Sequence, residues 1–440
     1  MFDRNVAVIN NSRCSYKLYS VVGVFLVSIF VTFTIIYNCF KSSTLLYTFN
    51  ENDVALYAPY LPSPKLKVNT NDVYAVMFDA GSTGSRIHVL HFVEDQTANS
   101  HLRLVASVFE QVKPGLSSFA ENATESLDGL KYLLAIALDT VPKNKWEDTM
   151  IALKATAGLR LLPSTQAQAL LDEAYHLFLS SPFRVRQQDV SIMDGISEGM
   201  FLWFTVNFLR GTFFDDSSSP VGSIDLGGGS CQVAFVPQNQ DTILSSPKGH
   251  IEDINIFGKK IKLYVHSYLG LGLQSARLAM MGGKETKDET ENLFHALSSP
   301  CLPLHHEEEW AFGGVEYTAR GAEPTRRRYE ECYHIAQDVL GYQVHQPIEL
   351  QDQIVYAFSY VVDKIEESGF LEIDEPQQIK VQDIDLIAQR GTHGFGYHDN
   401  SVLVLQKKIE DIEVSWALGA AVHLLRGDDI SSSVEEMPSG

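Results

Sequence analysis

The sequence predicts an α/β protein built from two domains, and three observations lead there. From Val73 onward, short β-branched runs alternate with helical stretches. The chain has 440 residues, more than one hydrophobic core usually spans. Two glycine-rich segments also match each other. The first is Val73-Tyr-Ala-Val-Met-Phe-Asp79-Ala-Gly-Ser-Thr-Gly-Ser-Arg-Ile-His-Val-Leu, and the second is Gly222-Ser-Ile-Asp225-Leu-Gly-Gly-Gly-Ser-Cys-Gln-Val-Ala-Phe. Each reads as an apolar strand ending in Asp, a Gly/Ser/Thr turn and a second apolar strand. Their Asp residues lie 146 positions apart, about one domain length.

Composition narrows the function. Hydrophobic residues make up 45% and charged residues 20%, enough apolar material for a globular core. The formal charge is -21, opposite to the basic footprint that a nucleic-acid binder needs. An anionic substrate would have to be held by local chemistry, not by surface charge. The H-E-x-x-H and P-loop lysine motifs are missing, which removes the common zinc-protease and P-loop signatures.

The charge is unevenly spread. Residues 1–41 carry +3, which leaves -24 for the rest of a chain whose total is -21. Leu18–Phe40 holds 23 residues with no charge, and at about 1.5 Å per residue that crosses a hydrocarbon core of ~30 Å. Arg4, Arg13 and Lys17 precede it, so the N-terminus is expected in the cytosol and the bulk of the chain across the membrane. A cleaved signal peptide is the competing reading, with a shorter apolar region and a small-x-small cleavage site.

Of five cysteines, Cys14 then faces the cytosol, Cys39 sits at the membrane end and Cys231 lies in the second glycine-rich segment. Cys301 and Cys332 remain as the disulfide pair of an oxidising compartment. Asn122-Ala-Thr124 is a glycosylation sequon on the translocated side, whereas Asn10-Asn11-Ser12 stays cytosolic. His305-His-Glu-Glu-Glu309 is expected to be a solvated loop, because adjacent residues rarely converge on one metal ion. Arg326-Arg327-Arg328 is expected to start an exposed helix or to pair with Glu330 and Glu331.

The two hairpins imply phosphate chemistry. Small residues in the turns expose backbone N–H groups to a close-approaching phosphate. Asp79 and Asp225 repel phosphate directly but hold a hard divalent cation, through water, that binds its oxygens. Lys154-Ala-Thr156-Ala-Gly-Leu-Arg160 follows the apolar strand Met150–Leu153 and opens a helix. Asp194-Gly-Ile-Ser197-Glu198-Gly199 opens another over Met200–Leu209. Its plain reading is a helix start, with Ser197 as cap and Glu198 favourable to the dipole. The functional reading makes Glu198 a general base on attacking water.

These segments carry a resemblance. Phe78–Arg86, Ala155–Arg160, Asp194–Gly199, Ile224–Ser230 and Ser415-Trp-Ala-Leu-Gly419 resemble, in order, the five apyrase conserved regions. The chain is therefore similar to the ectonucleoside triphosphate diphosphohydrolases, and most to the single-anchor or secreted nucleoside diphosphatases of the type 5/type 6 branch. The resemblance implies an actin-like (RNase H-like) two-domain fold with the active site in the interdomain cleft, preceded by one N-terminal transmembrane helix. The plan is a cytosolic tail 1–18, a signal anchor 19–40 and a stalk 41–71. The first catalytic domain is 72–196 with 412–427, the second is 197–411, and 428–440 is a C-terminal tail.

It also implies Ca²⁺- or Mg²⁺-dependent hydrolysis of the terminal phosphate of a nucleoside diphosphate, UDP or GDP ahead of triphosphates. Localisation follows as a single-pass type II membrane protein of the secretory pathway, the Golgi first, supporting glycosylation. Carried onto this chain, Glu198 is the base and Ser230 and Gln232 position the water. Asp79 and Asp225 organise the hydrated metal, and Thr156 supports the water or the base. Ser82, Thr83, Gly84 and Ser85 bind phosphate with Gly227, Gly228 and Gly229, while Arg86 closes the first loop. Tyr360 stands where the family places an aromatic near the nucleobase, although Val361 and Val362 follow it in place of further tyrosines. Trp416 packs the last helix against the domain interface.

One departure stands out. A Cys-bounded strand and helix that normally precede the equivalent of His393–Tyr397 are missing, and Gln389-Arg390 runs directly into Gly391-Thr392. That leaves a non-catalytic nucleotide-binding relative as the alternative. An actin-like sugar kinase or chaperone ATPase is a third, against which the anchor and the Glu198 motif weigh.

Overall fold

A computed structural model describes residues 70–95, 102–215, 217–283, 295–324, 327–341, 344–369, 373, 376–380, 395, 397, 400–427 and 430–432. The cytosolic tail, the span at 19–40, the stalk up to residue 69 and the junction at 389–392 lie outside the described residues. The chain divides into compact units 1–67 and 68–440, and every described residue belongs to the second. Among the described residues, no helix is long and apolar enough to cross a membrane.

The α/β class expected from the sequence is the class observed. The first sheet takes β1 (Thr70–Ala80), β2 (Ser85–Asp95), β3 (Leu102–Val112), β4 (Met150–Ala155) and β5 (Val190–Ile192) in the order β3-β2-β1-β4-β5. β1, β2 and β3 are antiparallel, while β1, β4 and β5 run parallel. Helices α1 (Leu127–Thr140) and α3 (Ser164–Leu179) cover one face, and between β4 and α3 lies the single turn α2 (Ala157–Arg160). Val76, Phe78 and Ile87 alternate along β1 and β2 into that face, as a strand period of two requires.

Next come α4 (Gly195–Leu209), β6 (Gly222–Leu226), β7 (Ser230–Phe235), α5 (Gln240–Ser245), β8 (Ile251–Ile256), β9 (Lys259–Leu269) and α6 (Leu273–Met280). After these follow β10 (His295–Ser299), β11 (Glu307–Phe312), β12 (Val315–Gly321), α7 (Arg328–Leu340), β13 (Val355–Ser359) and α8 (Tyr360–Glu367). The chain closes with β14 (Gln377–Lys380), β15 (Val402–Leu405), the β16–β17 pair (Lys408–Ile409, Ile412–Glu413), α9 (Trp416–Leu425) and β18 (Ile430–Ser432).

The large sheet has the order β14-β15-β13-β6-β7-β9-β8-β18. Its middle, β9-β7-β6-β13-β15, repeats the first sheet. β6, β7 and β9 are antiparallel, and β6, β13 and β15 are parallel. Residues 430–432, expected in a tail, form an edge strand on β8.

The central core joins α4 and α9 with inward residues of both sheets, among them Met77, Leu90, Trp203, Val265, Phe358 and Trp416. A helix covered on all sides must be apolar all round. Accordingly, every residue from Glu198 to Phe208 is buried. Trp416 packs within this core, at 3% exposure.

Two local readings are corrected. The cap of α4 is Asp194, whose carboxylate accepts from the amides of Ile196 and Ser197, both at 2.9 Å. Asp194 stands before the first helical turn, where a side chain can reach unpaired amides, whereas Ser197 already lies inside it. The Glu307–Glu309 run belongs to β11, not to a loop. It pairs antiparallel with β12 on the edge of a three-stranded sheet, where an exposed face tolerates charge. Nearby, Cys301 and Cys332 are bridged, with Cα atoms 4.9 Å apart. Arg328 begins α7 and donates to the carbonyls of Pro300 and Leu302, while Arg327 lies 3.8 Å from Glu330.

α4 and α9 touch through Gly419. A Cβ there would lie 2.4 Å from the carbonyl oxygen of Phe201, and the Gly419 amide donates to Thr205 Oγ1 at 3.0 Å. Backbone cannot yield as a flexible side chain can. Gly419→Ala should therefore cost about 1–3 kcal/mol and lower the melting temperature of the full chain by several degrees. An unchanged melting temperature would show that this contact does not fix the helix spacing.

Candidate active site

The two glycine-rich hairpins are superimposable in their pairing. In the first, Asp79 pairs with Arg86, and the Gly81 amide donates to the Gly84 carbonyl at 3.0 Å. In the second, Asp225 pairs with Gln232, and the Gly227 amide donates to the Ser230 carbonyl at 2.9 Å. The intervals are identical, so each sheet delivers an Asp and a small-residue turn at the same strand end. The turns face each other. A Cβ on Gly228 would lie 2.3 Å from Ser82 Oγ and 3.1 Å from Thr83 Cγ2.

Three buried carboxylates gather behind these turns. Asp79 is 6% exposed, Asp225 8% and Glu198 6%. Asp79 accepts from Arg86 Nη1 at 3.1 Å. Burial pushes its carboxyl upward, Arg86 opposes that, and the charge of Asp225 adds to it. Burial also raises Asp225, against a hydrogen bond from Ser359 and the more distant Arg86. Burial lifts Glu198 to about 8, with Arg160 pulling down and both Asp225 and Asp79 pushing up.

Glu198 stands in the first turn of α4, where Asp194 caps the helix. Its Oε2 pairs with Arg160 and accepts from Gln232 Nε2 at 3.1 Å. Gln232 Nε2 also lies 2.7 Å from Ser230 Oγ and 2.9 Å from Ser267 Oγ. Thus Glu198, Gln232 and Ser230 come together. Thr156 is buried at the N-cap of α2, and its described hydrogen bonds run through its backbone to Ala80, Leu159 and Arg160. Ser82 and Ser85 are buried in the first hairpin.

Tyr360 opens α8 directly after Ser359 and is half-buried, with Lys364 Nζ 5.9 Å from its ring centre. Val361 and Val362 are buried in the outer core of the large sheet. Cys231 is buried, and burial pushes its thiol well above the usual range. Asn122 is exposed before a short 3-10 turn and donates to Glu125 at 2.8 Å.

The residues present fit a divalent cation. Asp225 Oδ1 is buried with no hydrogen-bond partner, and an unpaired carboxylate oxygen away from water is costly. A cation beside Asp79 and Asp225 would offset that cost. Among the described residues, no group of three or more His, Cys, Asp or Glu is placed to hold a metal. Two carboxylates with an unpartnered oxygen suit a hard cation that keeps part of its water shell.

Sequence reasoning gave no role to Arg160, Ser267 or Ser359. Arg160 stood inside a recognised motif, so a signal existed. Ser267 lies on β9 outside any motif and reaches the site only because β9 pairs with β7. Ser359 has φ +58° and ψ -129°, a conformation that no residue type would announce.

An α/β scaffold that presents twin glycine turns beside a cluster of buried acids suits an enzyme that acts on phosphate groups. The chain belongs to the GDA1/CD39 (nucleoside phosphatase) family, whose family model matches residues 65–352. It is 40% identical to ectonucleoside triphosphate diphosphohydrolase 5 of Mus musculus, over 83% of this chain and 91% of that one. It is likewise 40% identical to the nucleoside diphosphate phosphatase ENTPD5 of Homo sapiens, over 83% and 90%. Ectonucleoside triphosphate diphosphohydrolase 6 of Mus musculus is 39% identical over 80% and 82%. A solved structure of nucleoside triphosphate hydrolases from Neospora caninum aligns over 82% of this chain and 94% of that one, at TM-score 0.48 and 11% identity.

The contact at Gly228 yields a test. Gly228→Val would force the two turns apart, and a displacement near 1 Å is expected to cost about 10²-fold in kcat/KM. Phosphate release by the full chain measures it, and wild-type kcat/KM would show that the turns need not meet.

Proposed function

We propose that the chain hydrolyses the terminal phosphate of nucleoside diphosphates, UDP and GDP ahead of triphosphates, yielding the monophosphate and phosphate. The observation that carries this reading is Glu198, buried beside Asp79 and Asp225 and hydrogen-bonded to Gln232, which lies beside Ser230. Family membership and the printed names of the relatives support it.

In this mechanism the terminal phosphate lies against the amides and hydroxyls of Ser82, Thr83, Gly84 and Ser85 and against Gly227, Gly228 and Gly229. Arg86 holds Asp79 and closes the first turn. Asp79 and Asp225 would hold Ca²⁺ or Mg²⁺ through water, and when bound that ion supplies charge compensation at the phosphate oxygens. Ser230 and Gln232 orient a water, with Thr156 in support. Glu198 takes the water's proton as its oxygen bonds to phosphorus, and the bond to the nucleotide's bridging oxygen breaks. Tyr360 is assigned to the nucleobase.

The repeated strand order supports an actin-like fold with the site between its halves. The charge-free stretch 18–40 after three basic residues supports a single-pass type II protein of the secretory pathway, the Golgi first. Exposure of Asn122 suits glycosylation on the translocated side. The non-catalytic reading is not favoured, because the three carboxylates and both turns are assembled and the relatives are named as phosphohydrolases and a phosphatase.

The detergent-solubilised full chain should release phosphate from UDP and GDP with Mg²⁺ or Ca²⁺ and stop when EDTA is added. Persistence in EDTA would remove the metal role of Asp79 and Asp225. Glu198→Gln should lower kcat by about 10²–10⁴-fold while the far-ultraviolet spectrum stays unchanged. A base works deprotonated, and burial raises Glu198 to about 8, so kcat should climb as pH rises through that region. A rate flat from about pH 5 to 9 would count against Glu198 as the base.

A further inference from the structure

One neighbour of Glu198 holds it in a particular way. Arg160 is the last residue of α2, the single turn that follows β4. Its Nε donates to the Met193 carbonyl at 3.0 Å, and its Nη2 pairs with Glu198 Oε2. The guanidinium is therefore fixed at two points, one on the backbone leading into α4 and one on the carboxylate. A Cβ added to Gly195, the first residue of α4, would lie 3.2 Å from Arg160 Nη1, so the helix start also packs against it. Both partners are withdrawn from water, with side chains 13% and 8% exposed.

The pair has a direction. Arg160 and Gln232 Nε2 both engage Oε2, and Oε1 carries none of the described hydrogen bonds. A carboxylate with one oxygen tied by two donors cannot rotate freely, and the other oxygen is left to accept a proton. α2 also touches both phosphate turns. A Cβ on Gly158 would lie 2.8 Å from Ser82 Cα, and one on Gly229 would lie 2.9 Å from Ala157 Cβ. The element that carries the guanidinium is thus seated against both hairpins.

We infer that Arg160 is a positioning residue that locks Glu198 through Oε2, so that Oε1 is the atom that accepts the proton of the attacking water. This inference rests on the reading of Glu198 as base. The Arg160 side chain directs its described hydrogen bonds to the Met193 carbonyl and to Glu198. Its planar fork is what allows simultaneous contact with the Met193 carbonyl and the carboxylate, and a lysine can supply only the charge.

The test uses the full chain, with UDP as substrate and Mg²⁺ present. Arg160→Ala should lower kcat by about 10²-fold, the cost of a misplaced reacting group, and leave KM within about threefold. Arg160→Lys should recover at least about tenfold of the lost kcat by restoring charge at the same place. Millimolar guanidinium, far below denaturing concentrations, should raise the kcat of Arg160→Ala but not that of Glu198→Gln. Combining Arg160→Ala with Glu198→Gln should cost no more than Glu198→Gln alone, as expected of residues acting as a unit.

Wild-type kcat in Arg160→Ala, with Glu198→Gln inactive, would overturn the positioning role and leave the base intact. A loss that neither lysine nor guanidinium restores would also overturn it, marking the pair as structural. If the wild-type chain releases no phosphate from any nucleoside diphosphate, the underlying reading falls and this inference falls with it.

Discussion

Negative charge held away from water is the constraint on which this structure turns. Asp79 and Asp225 each raise the cost of ionising the buried Glu198, Asp225 does the same to Asp79, and two guanidiniums, Arg86 and Arg160, face them. The arrangement is not balanced within the chain, since Asp225 Oδ1 has no partner. Such a cluster persists only where the surrounding fold over-determines it. It is also a poor resting place for a phosphate unless backbone amides and a cation meet the anion. The same physics accounts for how a chain of net charge -21 can belong to a family that handles nucleotides.

The surrounding fold supplies that rigidity by repetition. In each sheet the strand carrying the Asp ends one residue later and returns through a turn closed by the same amide-to-carbonyl bond. α4 lies buried in the core shared by both sheets, and its capped first turn sets Glu198 against Gln232 of the second hairpin. α9 braces it through a contact only glycine permits, at Gly419. Packing and site geometry are consequently one problem. A shift of α4 would move the acid that its first turn carries.

Much of the site was readable in the chain because its parts are local. Asp79 and Asp225 are each followed within five residues by the turns they serve, and Asp194 and Glu198 share one helix start. β11 reads as a solvated loop because both faces of this edge strand are open enough at Glu307–Glu309 to carry consecutive charges. The plain reading puts the cap at Ser197, three residues past Asp194, and only the hydrogen bonds decide between the two. Arg160 sits inside a motif, but its partner is 38 positions away, which no local pattern shows.

By itself, the sequence determined the α/β class, the duplicated hairpins, the family resemblance and the identity of the acids, because each of these is written in short contiguous patterns. Only the tertiary structure decided which groups meet. It placed Arg160 on Glu198, Ser267 on Gln232 and Ser359 on Asp225, and it brought Gly228 against Ser82. It also left one oxygen of Asp225 unpaired. The physical reason is that burial and charge coupling act through space. A pattern of residues fixes what each strand or helix can be, but the field felt by a carboxylate is set by elements that arrive from far along the chain.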